Sequence, residues 1–262
     1  MNNHVVFFSG GVSSWACAHR VAEKYGTDNL TLLFTDTLIE DADLYRFLEE
    51  GAAAIGGQLV KIADGRTPWE VFRDVKYLGN TRADPCSRIL KRDIAKKYIH
   101  ENFPQPEDVR LWLGMNWDEE DRLVRSKRFW EPYRMDSLLM EKPWLTQGQM
   151  HDLLAAHGIA PPRLTASLGF PHNNCGGGCV KAGQAHFRHL LKTLPDVYRE
   201  WENNEQEMRE FLDKDVSILR DRTGGTTKPL TLRELRERES GQCDLTDWGG
   251  CGCFAVDEEN DD

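Results

Sequence analysis

Residues 5 to 24 leave this chain few ways to fold. Val5-Val6-Phe7-Phe8 is an unbroken apolar run, the spelling of a strand buried on both faces. Ser9-Gly10-Gly11-Val12-Ser13-Ser14 follows at once, and Trp15 to Lys24 carries an Ala-rich helical pattern. Strand, tight turn and helix in direct succession are the opening unit of an α/β protein. Such a turn leaves backbone N–H groups free at a helix N-terminus, where the helix dipole adds partial positive charge. Glycines let an anion come close to that backbone. The spelling lacks the Gly-Lys-Ser/Thr ending of the nucleotide-kinase loop and the third glycine of the dinucleotide loop.

The same alternation continues along the chain. Leu30 to Thr35, Gln58 to Ile62 and Arg110 to Gly114 read as further strands, and Ala42 to Ile55 reads as a helix capped by Asp41. Thr67-Pro68 opens a short helix, and Thr146 with Gln149 forms a capping box for a helix ending near His157-Gly158. A helix beginning around His172 is expected to run through His186 to Leu194, followed by a charged helix from Pro195 to about Lys214. A Gly224-Gly225 turn and a capped helix at Thr231 to Glu239 come next. The predicted fold class is α/β, a doubly wound and mainly parallel sheet with helices on both faces, plus a helical C-terminal region. The expected division is a nucleotide-binding α/β domain over 1–140, a helical cysteine-containing region over 141–256 and an acidic tail over 257–262.

In an open parallel sheet, ligands bind beyond the carboxyl ends of the strands. Thr35 and Asp36, at the end of the second strand, are therefore expected near Ser9 to Ser14, with Asp36 placed to hold Mg²⁺ or to accept from an adenine or ribose. The chain of 262 residues has a formal net charge of −10, half of it supplied by Asp257, Glu258, Glu259, Asp261 and Asp262. That balance argues against bulk, sequence-independent nucleic-acid binding, which runs on phosphate neutralisation. Two local basic stretches stand against it: Arg82, Arg88, Lys91, Arg92, Lys96 and Lys97, then Arg122, Arg125, Lys127, Arg128 and Arg134. Their plainest reading is two solvated helix faces. No segment approaches the roughly 20 apolar residues of a membrane span, and Met1-Asn2-Asn3-His4 is no export signal, so no membrane partner and a cytoplasmic location are expected.

Seven cysteines are the unusual part of the composition. Without an export signal, cysteines at short spacing point to metal binding or catalysis rather than disulfides. Cys17 sits on the apolar side of the first helix and reads as core. Cys86 precedes a helix, a position that favours the thiolate. Cys175 and Cys179 are separated only by Gly176-Gly177-Gly178, whose freedom allows two thiols to turn toward one centre. Cys251-Gly252-Cys253 closes the chain before its acidic tail, and Cys243 has no assigned role.

Ser9-Gly10-Gly11-Val12-Ser13-Ser14 resembles the pyrophosphate loop of the ATP pyrophosphatases, with Ser13 where that family usually has Asp. Thr35-Asp36-Thr37 through Glu40, Asp84-Pro85-Cys86 with its Lys91-containing helix, Gly114 through Arg122, Pro143-Trp144-Leu145-Thr146 and His172-Asn173-Asn174-Cys175 resemble motifs of the phosphoadenosine phosphosulfate (PAPS) reductase family. The resemblance spans Ser9 to about Trp201. It departs at Ser87, where iron–sulfur members carry a second cysteine, at Asn116, which replaces an Arg, and around Cys251-Gly252.

The resemblance implies an ATP-dependent enzyme that adenylates a substrate, releases pyrophosphate and inserts sulfur into a nucleic acid, by tRNA thiolation or DNA phosphorothioation, with a cysteine desulfurase as donor. Ser9, Gly10, Gly11, Val12, Ser13, Ser14, Thr35, Asp36, Gly114, Glu119 and Arg122 would bind ATP and Mg²⁺. Asp36, Lys91 and Cys251 would be catalytic. Cys86, Cys175, Cys179 and Cys253 would hold a [4Fe–4S] cluster, with Cys251 the alternative fourth ligand and Zn²⁺ the alternative metal. Two other readings stay open: a true PAPS or adenylylsulfate reductase, and a non-catalytic nucleotide-binding or iron–sulfur scaffold.

Overall fold

Val5 and Val6 are fully buried and Phe7 almost so because β1 (Asn3–Phe7) is the central strand of a five-stranded parallel sheet. The computed structural model describes residues 3–79, 85–238 and 246–249. After β1 come α1 (Val12–Tyr25), β2 (Leu30–Asp36), α2 (Ala42–Ile55), β3 (Gln58–Ala63) and α3 (Pro68–Asp74). A short turn α4 (Pro85–Ser87), a π-helical segment (Arg88–Asp93) and α5 (Ile94–Asn102) lead to β4 (Val109–Trp112), α6 (Glu120–Trp130) and β5 (Arg134–Asp136). The remainder is α7 (Gln147–Ala156), α8 (Arg163–Ala166), α9 (Gln184–Thr193), α10 (Pro195–Leu212), the antiparallel pair β6 (Leu219–Asp221) and β7 (Lys228–Leu230), and α11 (Leu232–Glu237).

The strand order is β3-β2-β1-β4-β5, and every neighbour is parallel. The chain winds outward from β1 through β2 to β3, then returns to β4 on the other side. The switch point, and with it the crevice that such sheets use for ligands, lies between the carboxyl ends of β1 and β4. This is the doubly wound α/β fold expected from the run of apolar strands.

Side chains alternate across a strand, so β1 feeds two cores. Val6 joins Trp15, Phe47, Trp112, Met150 and Leu154 on the side of α1, α2 and α7. Val5 and Phe7 join Ile99, Leu111, Trp130 and Met135 on the side of α5 and α6. A third core gathers Phe72 of α3 with Cys179, Phe187, Tyr198, Trp201 and Leu235 from later in the chain. Within it the buried Glu205 carboxylate accepts from Ile218 N–H at 2.8 Å and Leu232 N–H at 2.6 Å. Tyr198 Oη donates to Leu232 O at 2.6 Å, so α10 holds the β6–β7 pair through polar contacts as well as packing.

The caps fall where the sequence puts them. Asp41 accepts from Asp43 N–H, and Thr67/Glu70, Thr146/Gln149 and Thr231/Glu234 form complete capping boxes. The helix expected from His172 begins only at Gln184. Cys175 (φ 55°) and Gly176 (φ 63°) take left-handed conformations that hold Asn174–Gly177 to a single 3₁₀ turn. Helix α10 ends at Leu212 and α11 at Glu237, each two residues short of expectation. Strands β5, β6 and β7, of three residues each, were not foreseen because three residues show no period. Among the described residues no helix is long and apolar enough to cross a membrane.

Candidate nucleotide cleft and the adjoining thiol cavity

Residues 9–14 leave the carboxyl end of β1 and enter α1 with Gly11 as N-cap and no side-chain cap bond, so the first N–H groups of the helix stay available. Ser14 Oγ donates back to Gly11 O at 2.8 Å and braces the turn. Gly10 has φ 79°, a conformation L side chains rarely adopt, and it packs against Leu44 of α2. From the other side of the switch point, Gly114 follows β4 so closely that a Cβ on it would lie 2.5 Å from Ser14 Cα. Two glycines thus let two strand ends meet around one helix N-terminus.

That meeting point opens into a cleft of about 330 Å³. Its walls include Ser9, Gly11 to Ser14 and Gly114, with Gln147 and His151 from α7 and His172, Asn173 and Asn174 opposite. Asn173 is 7% exposed. Its Nδ2 donates to Gly10 O at 3.3 Å, while its Oδ1 has no hydrogen-bond partner among the described residues. His172 Nδ1 is likewise buried without one. Burial holds the His172 imidazole far below its ordinary range, to about 3, with the nearby charges of His186 and Lys91 acting in the same direction. His172 is therefore a neutral wall, and what the turn could offer an anion is backbone dipole.

A second cavity, of about 20 Å³, has in its lining Cys175, the residue that follows the cleft-lining Asn174. Cys86, Cys175 and Cys179 all line it, together with Lys91, Phe72 and Trp201. None of the three forms a disulfide with another described cysteine. Beside it the Glu40 side chain, 1% exposed, organises a polar cluster. It accepts from Thr37 Oγ1 at 2.8 Å and from Cys175 N–H at 2.5 Å, and Lys91 Nζ lies 3.7 Å away. Lys91 also donates to Asn174 Oδ1 at 3.2 Å. Asn174 lines the candidate nucleotide cleft and Lys91 the thiol cavity, so this one hydrogen bond links the linings of the two. Two of the three glycines between Cys175 and Cys179, Gly176 and Gly178, are demanded by packing. A Cβ on Gly176 would lie 2.6 Å from Ile39 O, and one on Gly178 would enter the Trp201 indole.

The residues expected to bind nucleotide divide into two groups. Ser9, Gly11, Val12, Ser13, Ser14 and Gly114 line the cleft, with Gly10 in its turn. Thr35 is buried in β2, and Asp36 spends its carboxylate on Leu38 N–H at 2.8 Å and Tyr45 Oη at 2.9 Å. Glu119 is paired with Arg122 and accepts from Asn116 N–H at 3.1 Å. None of these four lines the cleft. Lys91 stands at the thiol cavity, and neither it nor Arg92 belongs to a solvated helix face, since both are buried in the π-helical segment. Cys251, Cys253, Cys243 and Arg82 lie outside the described residues. Gln147 and His151 went unread as site residues, although the Thr146/Gln149 capping box marks a second helix N-terminus at this cleft.

The thiol cavity suits a soft metal in its donor chemistry, three thiols with a cation beside them. Among the described residues, however, no three His, Cys, Asp or Glu side chains converge closely enough to hold a metal ion. The cleft lining has hydroxyls and backbone but no carboxylate.

No family model and no curated protein matches this sequence. A similar solved structure is phosphoadenylyl-sulfate (PAPS) reductase from Candida auris in its phosphate complex. It is 13% identical over 67% of this chain and 82% of that one, with a TM-score of 0.45. The likeness is one of fold alone.

Proposed function

We propose that this chain binds ATP by its phosphates at the Ser9–Ser14 turn and adenylates an acceptor, releasing pyrophosphate, as the first half of sulfur insertion into a nucleic acid. The observation that carries the reading is the uncapped N-terminus of α1 at the sheet's switch point, closed to side chains by Gly114 and walled by the orphaned polar atoms of His172 and Asn173. Backbone N–H groups there would hold the β- and γ-phosphates. A Mg²⁺ ion would be carried by those phosphates and the Ser hydroxyls, because the lining offers no carboxylate. An acceptor oxygen attacks the α-phosphorus, the bond to pyrophosphate breaks, and AMP becomes the leaving group for a sulfur nucleophile.

Two further observations favour sulfur delivery to a nucleic acid. Lys91 of the thiol cavity donates to Asn174 of the cleft, and Cys175 follows Asn174 in the chain, which supports a passage of sulfur from Cys86, Cys175 and Cys179 to an acceptor bound in the cleft. Among the described residues these three thiols do not converge on a metal ion, so no step of this reading runs through a cluster. Trp117 and Trp144 stack at 5.3 Å with an interplanar angle of 22°, each 48% exposed, and each is three residues from a cleft-lining residue, Gly114 or Gln147. Exposed indoles beside a basic helix offer a surface on which a nucleic-acid base can stack.

The test is pyrophosphate and AMP release on anaerobically purified protein with tRNA and with DNA, run beside sulfite release from PAPS and from adenylylsulfate with thioredoxin. Acceptor-dependent pyrophosphate release supports the proposal. Sulfite release without pyrophosphate replaces it with the reductase reading, and tight nucleotide binding with neither product reduces the chain to a scaffold.

A further inference from the structure

The candidate nucleotide cleft is a place for phosphates without a fixed cation. Among the described residues its lining contains no Lys, Arg, Asp or Glu, and its two side chains that can take up a proton to become cations are His151 and His172. Burial keeps His172 neutral, with its pKa lowered to about 3. That leaves His151, which is half-buried at the cleft and makes no hydrogen bond or ion pair among the described residues. Imidazole is the side chain that ordinarily changes charge between about pH 5 and 8.

The sequence fixes where this ring stands. The Thr146/Gln149 capping box sets the first turn of α7, and Met150 and Leu154 pack with Trp15 of α1 in one core, so α7 is held against α1. Gln147 and His151, four residues apart, share one face of α7, and both line the cleft together with the Ser9–Ser14 turn. The Gln147 side chain likewise has no partner among the described residues. Asn173, 7% exposed and with its Oδ1 unpartnered among the described residues, independently marks the cleft as one whose polar groups are completed by an occupant.

Charged groups on the surrounding elements are engaged away from the cleft. On α1, Arg20 donates to Leu138 O at 2.9 Å, Lys24 pairs with Glu141 at 2.6 Å, and His19 lies between His157 at 3.2 Å and Glu23 at 3.4 Å. On α8, Arg163 pairs with Asp41 at 2.6 Å, and beyond the His172–Asn174 wall Lys91 donates to Asn174 Oδ1 at 3.2 Å. Asp152, next to His151 in α7, is exposed and does not line the cleft.

We propose that His151, as imidazolium, is the switchable cation of this cleft, binding the terminal phosphates of a nucleoside triphosphate held at the Ser9–Ser14 turn, with Gln147 donating beside it. The inference rests on the phosphate-binding reading of that turn. When the bond from the α-phosphorus to pyrophosphate breaks, its electron pair stays on the pyrophosphate oxygen, and the imidazolium N–H meets the charge that develops there.

The experiment is calorimetric titration of the full chain with inorganic pyrophosphate, without Mg²⁺ and at constant ionic strength, near pH 6 and near pH 8, in the parent, His151→Gln and His151→Lys. Because the ligand is the same at each pH, the ratio of parent to variant affinity isolates the side chain. The parent should bind about tenfold more tightly than His151→Gln near pH 6 and within about threefold of it near pH 8. His151→Lys should keep the tighter binding at both. Unfolding curves of each variant at each pH report whether it is folded. A parent-to-Gln ratio that does not change with pH overturns the inference and leaves the phosphate site standing. No binding of pyrophosphate or ATP by the parent overturns both. The expected pH-dependent ratio without acceptor-dependent pyrophosphate release supports His151 and refutes the adenylation reading alone.

Discussion

The candidate nucleotide cleft and the thiol cavity draw on adjacent residues, Asn174 and Cys175, yet they are built from opposite materials. The cleft is made of backbone: free helix N–H groups, a left-handed glycine and a second glycine that admits no Cβ. The cavity is made of side chains: three thiols and a buried Glu40–Lys91 pair tied to Thr37, Asn174 and the Cys175 N–H. A site of the first kind tolerates changes of side chain and fails when a side chain is added. A site of the second kind fails when a single charge is removed, because the partner charge is left without water.

The largest effect that would break this contrast is at Glu40. Glu40→Ala leaves the Lys91 ammonium buried without its carboxylate and is expected to cost about 3–5 kcal/mol in urea unfolding. Glu40→Ala combined with Lys91→Met should recover a large part of it. A loss under ~1 kcal/mol for the single variant would mean that the cavity does not depend on this pair.

A comparably large test lies at Glu205, a buried carboxylate outside both sites. Burial raises its pKa from 4.5 to about 7 against the pull of its two backbone N–H donors. A folded-state pKa above the unfolded one means that stability from protonated Glu205 is complete below about pH 4.5 and is lost as pH rises through about 7. At about 1.4 kcal/mol per pH unit this amounts to on the order of 3 kcal/mol across the window. Glu205→Gln should flatten the corresponding part of the stability–pH curve, and an unchanged slope would refute the assignment.

Gly114→Ala comes next. The added methyl meets backbone atoms of Ser14, which cannot rotate away, so ~1–3 kcal/mol of stability should be lost. ATP affinity, measured by calorimetry, should fall at least about tenfold. The smallest effect is expected from Ser13→Ala, which keeps every backbone N–H and should change ATP affinity by no more than roughly threefold. A large loss there would show that a hydroxyl, and not the backbone, holds the ligand.

What could be read from the sequence follows the same division. Apolar runs such as Val5–Phe8 and Leu30–Thr35 announced the parallel strands, and Ser9–Ser14 announced the cleft, because local spelling decides where a helix begins. Asp41, Thr67, Thr146 and Thr231 were legible as caps for that reason. The Glu40–Lys91 pair was invisible, since partners on β2's exit and the π-helical segment are joined only by the fold. The glycines at 176–178 read as freedom to wrap a metal. In the structure Gly176 makes room for Ile39 O and Gly178 for Trp201, a demand that no single segment records. Asp36 was rightly placed at a strand end, but the neighbouring Tyr45 that engages its carboxylate sits a helical turn into α2.

The wall His172-Asn173-Asn174 carries one last consequence. Asn173 grips the Gly10 carbonyl and Asn174 grips Lys91, so neither neighbour can shift without moving a side chain on the adjoining residue. By thermodynamic linkage, whatever factor an occupant of one cavity imposes on the affinity of the other is returned in full in the opposite direction. A ratio of dissociation constants measured with the thiol side loaded and unloaded therefore reports, in a single number, how strongly the two compartments exchange information.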